Sequence, residues 1–151
     1  MKKIVWIGLL LIWTTGCVTV KIPKYLKDEF PYKKTFYFNF DDTLKSTQLA
    51  LKDMGWRISD VSNPTVFEQN QTSDKSVRQV LIFTEVRQTP LIFSSRYMSL
   101  NIYVRSLDNK STDVEIRYLS VTPIVFTSAE SHKNDAVIEK IFHRISQLLG
   151  E

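Results

Sequence analysis

This 151-residue sequence contains few thiol and imidazole side chains, the groups that most often serve as soft metal ligands or as bases near neutral pH. There is one cysteine, Cys17, and there are two histidines, His132 and His143. A thiol can be alkylated, oxidised or bound to a metal, and an imidazole can bind a metal or transfer a proton. One cysteine cannot form an internal disulfide, and two histidines on unrelated segments lack the spacing of a zinc site. We therefore predict no metal, no cofactor and no catalytic residue from this set.

Cys17 follows a segment with the layout of a secretory signal peptide. Lys2 and Lys3 precede an unbroken apolar run over residues 4–13, and the small residues of 14–16 follow it. A run of ten is about half of the ~20 residues that a helix needs to cross a bilayer. The charged, apolar and small order is typical of a cleaved signal peptide, which we predict over residues 1–16.

The residues before the cysteine carry a further signal. Thr14-Thr15-Gly16-Cys17 resembles the lipobox of bacterial lipoprotein precursors, with Thr14 where an aliphatic residue is usual. The resemblance implies cleavage after Gly16, a diacylglycerol thioether on Cys17 and acylation, such as palmitate, of the new amino group. In enterobacterial lipoproteins an aspartate directly after the cysteine resembles an inner-membrane retention signal. Val18 stands there, which favours the outer membrane over the inner membrane.

The charges are distributed unevenly along the chain. Residues 17–34 contain five lysines and two acids, with Pro23 and Pro31 interrupting any regular element, so we predict a lipid-anchored juxtamembrane linker. Its lysines could lie near anionic headgroups or could only solubilise a spacer. Residues 35–151 contain 13 basic and 14 acidic side chains. A domain without cationic excess lacks the charge that nucleic-acid binding requires, so no nucleic-acid partner is expected.

Residues 35–151 are predicted to form one folded domain. An aromatic run over 35–40 predicts a strand, and Asp41 or Asp42 is expected to cap the helix that follows. Gly55 stands where that helix would end in a left-handed residue. Further strands are predicted over 56–61, 65–69, 77–88, 97–106 and 112–121. A closing helix, capped by Asn134, is predicted over 135–149.

Alternation at period two defines the sheet most clearly. In 112–121 the apolar Val114, Ile116 and Tyr118 alternate with Asp113, Glu115 and Arg117. This pattern predicts antiparallel strands with one dry face and one face in water. The element order predicts an α+β two-layer sandwich, with a mainly antiparallel sheet of five to six strands and two helices on one face. The arrangement resembles the helix-grip domains of the C component of the β-barrel assembly machine.

One short motif points to an enzyme at first sight. Asn39 to Leu44 resembles the first motif of haloacid dehalogenase-type phosphatases, Asp-x-Asp-x-Thr-Leu. The family's nucleophilic aspartate is replaced by Asn39, an amide that cannot form an aspartyl-phosphate. The long run of predicted strands also lacks the alternating strand–helix order of that fold. We interpret Asp41 and Asp42 as helix-capping residues.

Two segments repeat the order Thr-Pro, two aliphatic residues, Phe, a hydroxyl residue and Ser: 89–95 and 122–128. If strands 77–88, 97–106 and 112–121 form a meander, both segments follow strand ends at the same end of the sheet. The resulting patch could dock an envelope protein, because monomers rarely expose such patches. Alternatively, the segments continue the strands and are buried under the closing helix. The patch residues are Leu91, Ile92, Phe93, Ile124, Val125 and Phe126.

These features predict a non-catalytic lipoprotein of the cell envelope. Its membrane contact would be the lipidated Cys17, and its periplasmic or surface domain would bind an envelope protein. Two alternatives remain open. The domain could carry a small apolar ligand or lipid between helix and sheet, or it could be a hydrolase.

Overall fold

The computed structural model describes residues 22–27, 30–67, 77–91, 95–122 and 134–151. Six strands form one antiparallel sheet in the order β1-β6-β5-β3-β2, and β4 pairs with β5 beyond the end of β3. Two helices pack on one face, which confirms the predicted α+β sandwich. The elements are β1 Tyr32–Phe36, α1 Phe40–Asp53, β2 Ile58–Ser62, a 3-10 turn Pro64–Val66, β3 Gln79–Thr84, β4 Arg87–Pro90, β5 Ser95–Ser106, β6 Thr112–Val121 and α2 Asp135–Leu149.

A meander of β3, β5 and β6 forms the centre of the sheet. β5 pairs with β3 on one side and with β6 on the other, so that Ile102 lies between Ile82 and Ile116. The apolar side chains on this face are buried beneath both helices because each helix turns an apolar stripe towards them. This core is centred on Phe36, Leu51, Ile82, Leu100, Ile102, Ile116, Ile138, Ile141 and Ile145.

The helix ends follow local capping chemistry. The side chain of Asn39 accepts a hydrogen bond from the Asp42 backbone N–H at 2.9 Å, so Asn39, and neither Asp41 nor Asp42, is the N-cap of α1. Gly55, with φ of 75°, adopts the predicted left-handed conformation after this helix. Asn134 caps α2 as predicted.

The first strand begins earlier than the aromatic run suggested. β1 spans Tyr32–Phe36 instead of 35–40, because Lys33 and Thr35 both contact the Asp113 carboxylate on β6. The salt bridge from Lys33 measures 2.6 Å. Because Asn39 is the N-cap, Phe40 is the first residue of the helix. The aromatic run is therefore divided between two elements.

Two other strand predictions were wrong in part. A strand was expected over 65–69, but Pro64 begins a 3-10 turn that Asn63 caps through the Thr65 backbone N–H. The single strand predicted over 77–88 consists of β3 and β4, which are separated by Glu85 and Val86. Both parts pair with β5, so the break is a local interruption in one line of pairing.

Candidate functional site

The second face of the sheet, opposite the helices, is covered by an N-terminal segment, residues 22–27. The sequence predicted this face to lie in water, and that prediction was wrong. Asn101 is 0% exposed, Tyr103 is 2% exposed and Arg117 is 6% exposed. We call residues 22–27 the covering segment.

Asn101 on β5 attaches the covering segment by backbone hydrogen bonds. Its Oδ1 accepts from the Leu26 N–H at 2.6 Å, and its Nδ2 donates to the Lys24 carbonyl at 3.0 Å. A side-chain amide that both donates and accepts reproduces what a neighbouring strand would offer. The segment is therefore hydrogen-bonded to a strand about 75 positions away in sequence.

Arg117 on β6 supplies the second attachment. Its Nη1 donates to the Tyr25 hydroxyl at 2.8 Å and to the Leu26 carbonyl at 3.1 Å. Its Nε and Nη2 both reach Oε1 of Glu115, at 2.9 and 2.8 Å. The guanidinium also lies over the rings of Tyr25 and Tyr103. The buried cation is thus stabilised by a carboxylate, two oxygen acceptors and two aromatic faces.

The covering segment makes both apolar and ionic contacts. Ile22 and Leu26 pack against Leu119 and Val121 near the end of β6. Lys24 forms a 2.7 Å salt bridge with Asp60 on β2. The hydrogen bond from Lys24 and a second from Ser62 hold the pKa of the Asp60 carboxyl below its usual range. The carboxylate is therefore charged at neutral pH, and acidification through the lowered pKa of Asp60 removes its share of the ionic contact.

The covering segment belongs to the stretch that the sequence predicted as linker. The boundaries of 1–16, 17–34 and 35–151 stay a prediction, and Cys17 lies outside the described residues. Within 17–34, however, residues 22–27 contact the sheet, and residues 32–34 are part of β1. Four residues, 18–21, separate Cys17 from the covering segment.

β4 and β6 end at the same end of the sheet, as predicted, but the first Thr-Pro segment does not follow its strand: Thr89 and Pro90 are the last residues of β4. Pro90 pairs with Ser95 at the start of β5, and Val121 pairs with Tyr97 two residues further on. Leu91 is 41% exposed at this end. The remaining predicted patch residues lie outside the described part of the chain: Ile92, Phe93, Ile124, Val125 and Phe126.

A groove of about 610 Å³ runs between α1 and the start of β2. Its apolar lining comprises Leu49, Trp56 and Ile58, and its charged lining comprises Lys45, Lys52, Arg57 and Glu85. The volume lies within the ~300–1,000 Å³ typical of ligand sites. Leu49 is 40% exposed and so presents an apolar surface to the groove. We call this the helix–strand groove.

The phosphatase-like residues have structural partners. Arg78 forms hydrogen bonds of 2.7 and 2.9 Å with the Asp41 carboxylate, and these bonds hold the pKa of Asp41 below its usual range. The Arg78 guanidinium also lies over the ring of Phe40. Asn39 and Asp42 form the helix cap. The side chains of Asn39, Asp41 and Asp42 thus stabilise the start of α1, whereas the buried Thr43 Oγ1 has no hydrogen-bond partner among the described residues.

We expect Asn39→Ala to lower the free energy of unfolding by about 1 kcal/mol, because it removes the side chain that caps α1. Asn39→Asp keeps an acceptor at the same position and should largely preserve stability. Urea unfolding of both variants, followed by circular dichroism, measures this difference. Equal stability of the wild type and Asn39→Ala would contradict the assigned cap.

The histidines and acids form no metal site in the ranges that the structure describes, since no group of three or more potential ligands comes together there. His143 is exposed on α2, with its Nε2 3.0 Å from Nε2 of Gln147. His132 lies outside the described residues.

The chain matches no protein-family model and no curated protein. Among the described residues, no helix has the length and apolar character needed to cross a membrane.

The sequence interpretation missed the covering segment, although a signal was present. Tyr103, Leu119 and Val121 lie on the polar face of the predicted strands, and three large apolar side chains are out of place on a wet surface. The segment itself contains Tyr25 and Leu26, which a purely solubilising linker would not need.

Proposed function

We propose that this protein is a lipid-anchored, non-catalytic binding domain of the cell envelope, held at the outer membrane through Cys17. The observation that supports the proposal best is the covering segment. A buried asparagine and a buried arginine attach residues 22–27 to the sheet, so the folded domain begins close to the cysteine of the lipobox-like motif.

This attachment limits the distance between domain and membrane. From Cys17 to Ile22 the chain advances five residues, which span at most ~18 Å when fully extended. An anchored domain with such a short spacer stays near the bilayer surface. Its partner is then expected to be another component of the same membrane or an envelope protein that approaches it.

The helix–strand groove is the surface that we propose for partner binding. Its apolar floor of Leu49, Trp56 and Ile58 would accept an apolar side chain. Lys45 and Lys52 flank Leu49 along the helix, whereas Glu85 is paired with Arg57 at 3.8 Å. Net positive charge around an apolar floor favours an acidic protein segment that carries an apolar anchor residue.

Photo-crosslinking in the intact envelope tests this function. A crosslinker at position 49 is expected to capture an envelope protein, whereas one at Leu107, which is 53% exposed in the β5–β6 turn, should not. Lys52→Glu should reduce the yield strongly, and the matched Lys110→Glu should leave it unchanged. A lipid adduct at position 49 would support the ligand-carrier alternative instead. The absence of any adduct would contradict both.

A further inference from the structure

One end of the sheet combines positive charge with exposed apolar side chains. We call residues 86–91 and 95–98 the basic end. This stretch contains Arg87 and Arg96, both exposed, and no acidic residue. Val86 and Leu91 are also exposed there. Cations beside small apolar groups are the combination that an anionic bilayer interface attracts.

The charged residues next to the basic end increase its net positive charge. Arg87 lies over the ring of Trp56 and so connects the basic end to the start of β2. The neighbouring Lys52 and Arg57 are exposed, and the acids nearby are Asp53 and Glu85. Asp53 is paired with Arg144 at 2.6 Å, and Glu85 is paired with Arg57. Each of these two pairs is neutral overall, so among these neighbours Lys52 is the residue whose charge adds to that of Arg87 and Arg96.

The opposite end of the sheet differs in charge. The turn after β5 contains Asp108 and Lys110, and Arg78 lies beside it because its carbonyl accepts from Ser106. Arg78 is paired with Asp41. Counting Arg105 and Asp42 as well, three cations there face three acids. We call this the turn end, and it offers no excess charge to an anionic surface.

The covering segment begins at the basic end. Ile22 packs against the cluster of Leu26, Leu119 and Val121, and Val121 pairs with Tyr97, the neighbour of Arg96. β5 runs about 36 Å from the basic end to the turn end at ~3.3 Å per residue. A spacer of at most ~18 Å from Cys17 to Ile22 therefore reaches the basic end and falls well short of the turn end.

We infer that the basic end lies on the anionic headgroups of the membrane that holds the lipid anchor, with the turn end directed away from it. This inference rests on the proposed anchoring through Cys17 and adds an orientation to it. Arg87 and Arg96 would contact phosphate groups, while Leu91 would enter the interface. The helix–strand groove would then open beside the membrane, within reach of a membrane-bound partner.

Energy transfer in reconstituted vesicles measures the orientation. The lipidated protein is purified from membranes, with a single donor label at Thr89→Cys or at Asn109→Cys; the thioether leaves each introduced cysteine as the only thiol. Vesicles containing phosphatidylglycerol carry an acceptor on their headgroups. Transfer should be clearly stronger from position 89 than from position 109, and the difference should shrink in phosphatidylcholine vesicles or at high salt.

Charge reversal provides the matched comparison. Arg96→Glu should lower the ratio of membrane-facing to other orientations by about 25-fold. A cation near an anionic surface contributes about fivefold, and the variant both loses this attraction and gains a repulsion of similar size. Lys110→Glu changes the net charge equally at the other end and should have no effect. Unfolding curves of both variants exclude a loss of fold.

The outcomes separate this inference from the proposed function. Equal transfer from positions 89 and 109, or equal effects of Arg96→Glu and Lys110→Glu, would overturn the orientation while the protein stays anchored. Protein that leaves the vesicles in a high-salt wash, with an unmodified thiol by mass spectrometry, would instead overturn the anchoring itself.

Discussion

Replacing Arg117 with alanine is expected to lower the free energy of unfolding by about 3 kcal/mol and to detach the covering segment. Removing one partner of a buried ion pair typically costs ~3–5 kcal/mol, because the other partner stays behind without compensation. Here the Glu115 side chain is 19% exposed and can recover some hydration, which places the expected loss at the lower limit. The Tyr25 hydroxyl and the Leu26 carbonyl lose a donor as well.

Detachment has its own readout, separate from global stability. Trypsin cleaves after lysine, and the covering segment contains Lys24 and Lys27. In the wild type the backbone around these residues is hydrogen-bonded to Asn101 and Arg117, which opposes the local unfolding that a protease needs. Cleavage there should become much faster in Arg117→Ala under conditions in which the sheet stays folded.

Arg144→Ala is the control for the loss of an arginine as such. Arg144 pairs with Asp53 on the surface, with about two fifths of each side chain exposed, and exposed pairs contribute only ~0–1 kcal/mol. Its substitution should leave the cleavage of residues 22–27 unchanged. If Arg117→Ala and Arg144→Ala behave alike in both unfolding and proteolysis, then Arg117 does not hold the segment in place.

The fold class was predictable because local patterns and tertiary packing agree. Alternation at period two in β5 and β6 separates Ile102 and Ile116 from the polar residues beside them, and the dry face of the sheet follows directly. Asn134 and the apolar stripe of α2 fix the closing helix in the same way. Where one face of a helix or strand is buried, apolar residues repeat along the sequence with the period of that element and so identify the buried face.

The sequence of the covering segment shows no comparable apolar pattern. Six residues with a proline have no period, and their partners Asn101 and Arg117 lie about 75 and 91 positions away. A polar side chain reads the same in sequence whether it meets water or a backbone carbonyl. Asp113, Glu115 and Arg117 therefore had the pattern of a solvated face, although Arg117 is buried.

The helix–strand groove was predictable only in part. Lys45, Leu49 and Lys52 follow the spacing of one helix face, so an exposed leucine between two lysines could be read from the sequence. The position of that face beside Trp56 and Ile58 depends on how α1 turns into β2 at Gly55. Tertiary packing determines the direction of that turn, and the spacing of residues in the sequence does not predict it.

Replacing Cys17 with serine is expected to abolish membrane attachment of the mature chain. Residues 1–16 must first be exchanged for a conventional cleavable signal peptide, because a serine cannot be lipidated and the original signal would remain attached. Each buried methylene of an acyl chain contributes ~0.8 kcal/mol, so two or three acyl chains hold a protein durably, whereas one binds with only ~10⁴ M⁻¹. The Cys17→Ser variant, which carries no acyl chain, should therefore be recovered almost completely in the soluble fraction.

The basic end alone should not replace the lipid. Two arginines at about fivefold each give only a weak attraction to anionic headgroups, and salt screens it. Any Cys17→Ser protein found with membranes at low salt should therefore be released by a high-salt wash, whereas the wild type should require detergent. Thr19→Ser alters a neighbouring residue, leaves the thiol in place and should behave like the wild type. If the Cys17→Ser variant still requires detergent for release, then Cys17 is not the anchor and the domain contacts the membrane by another route.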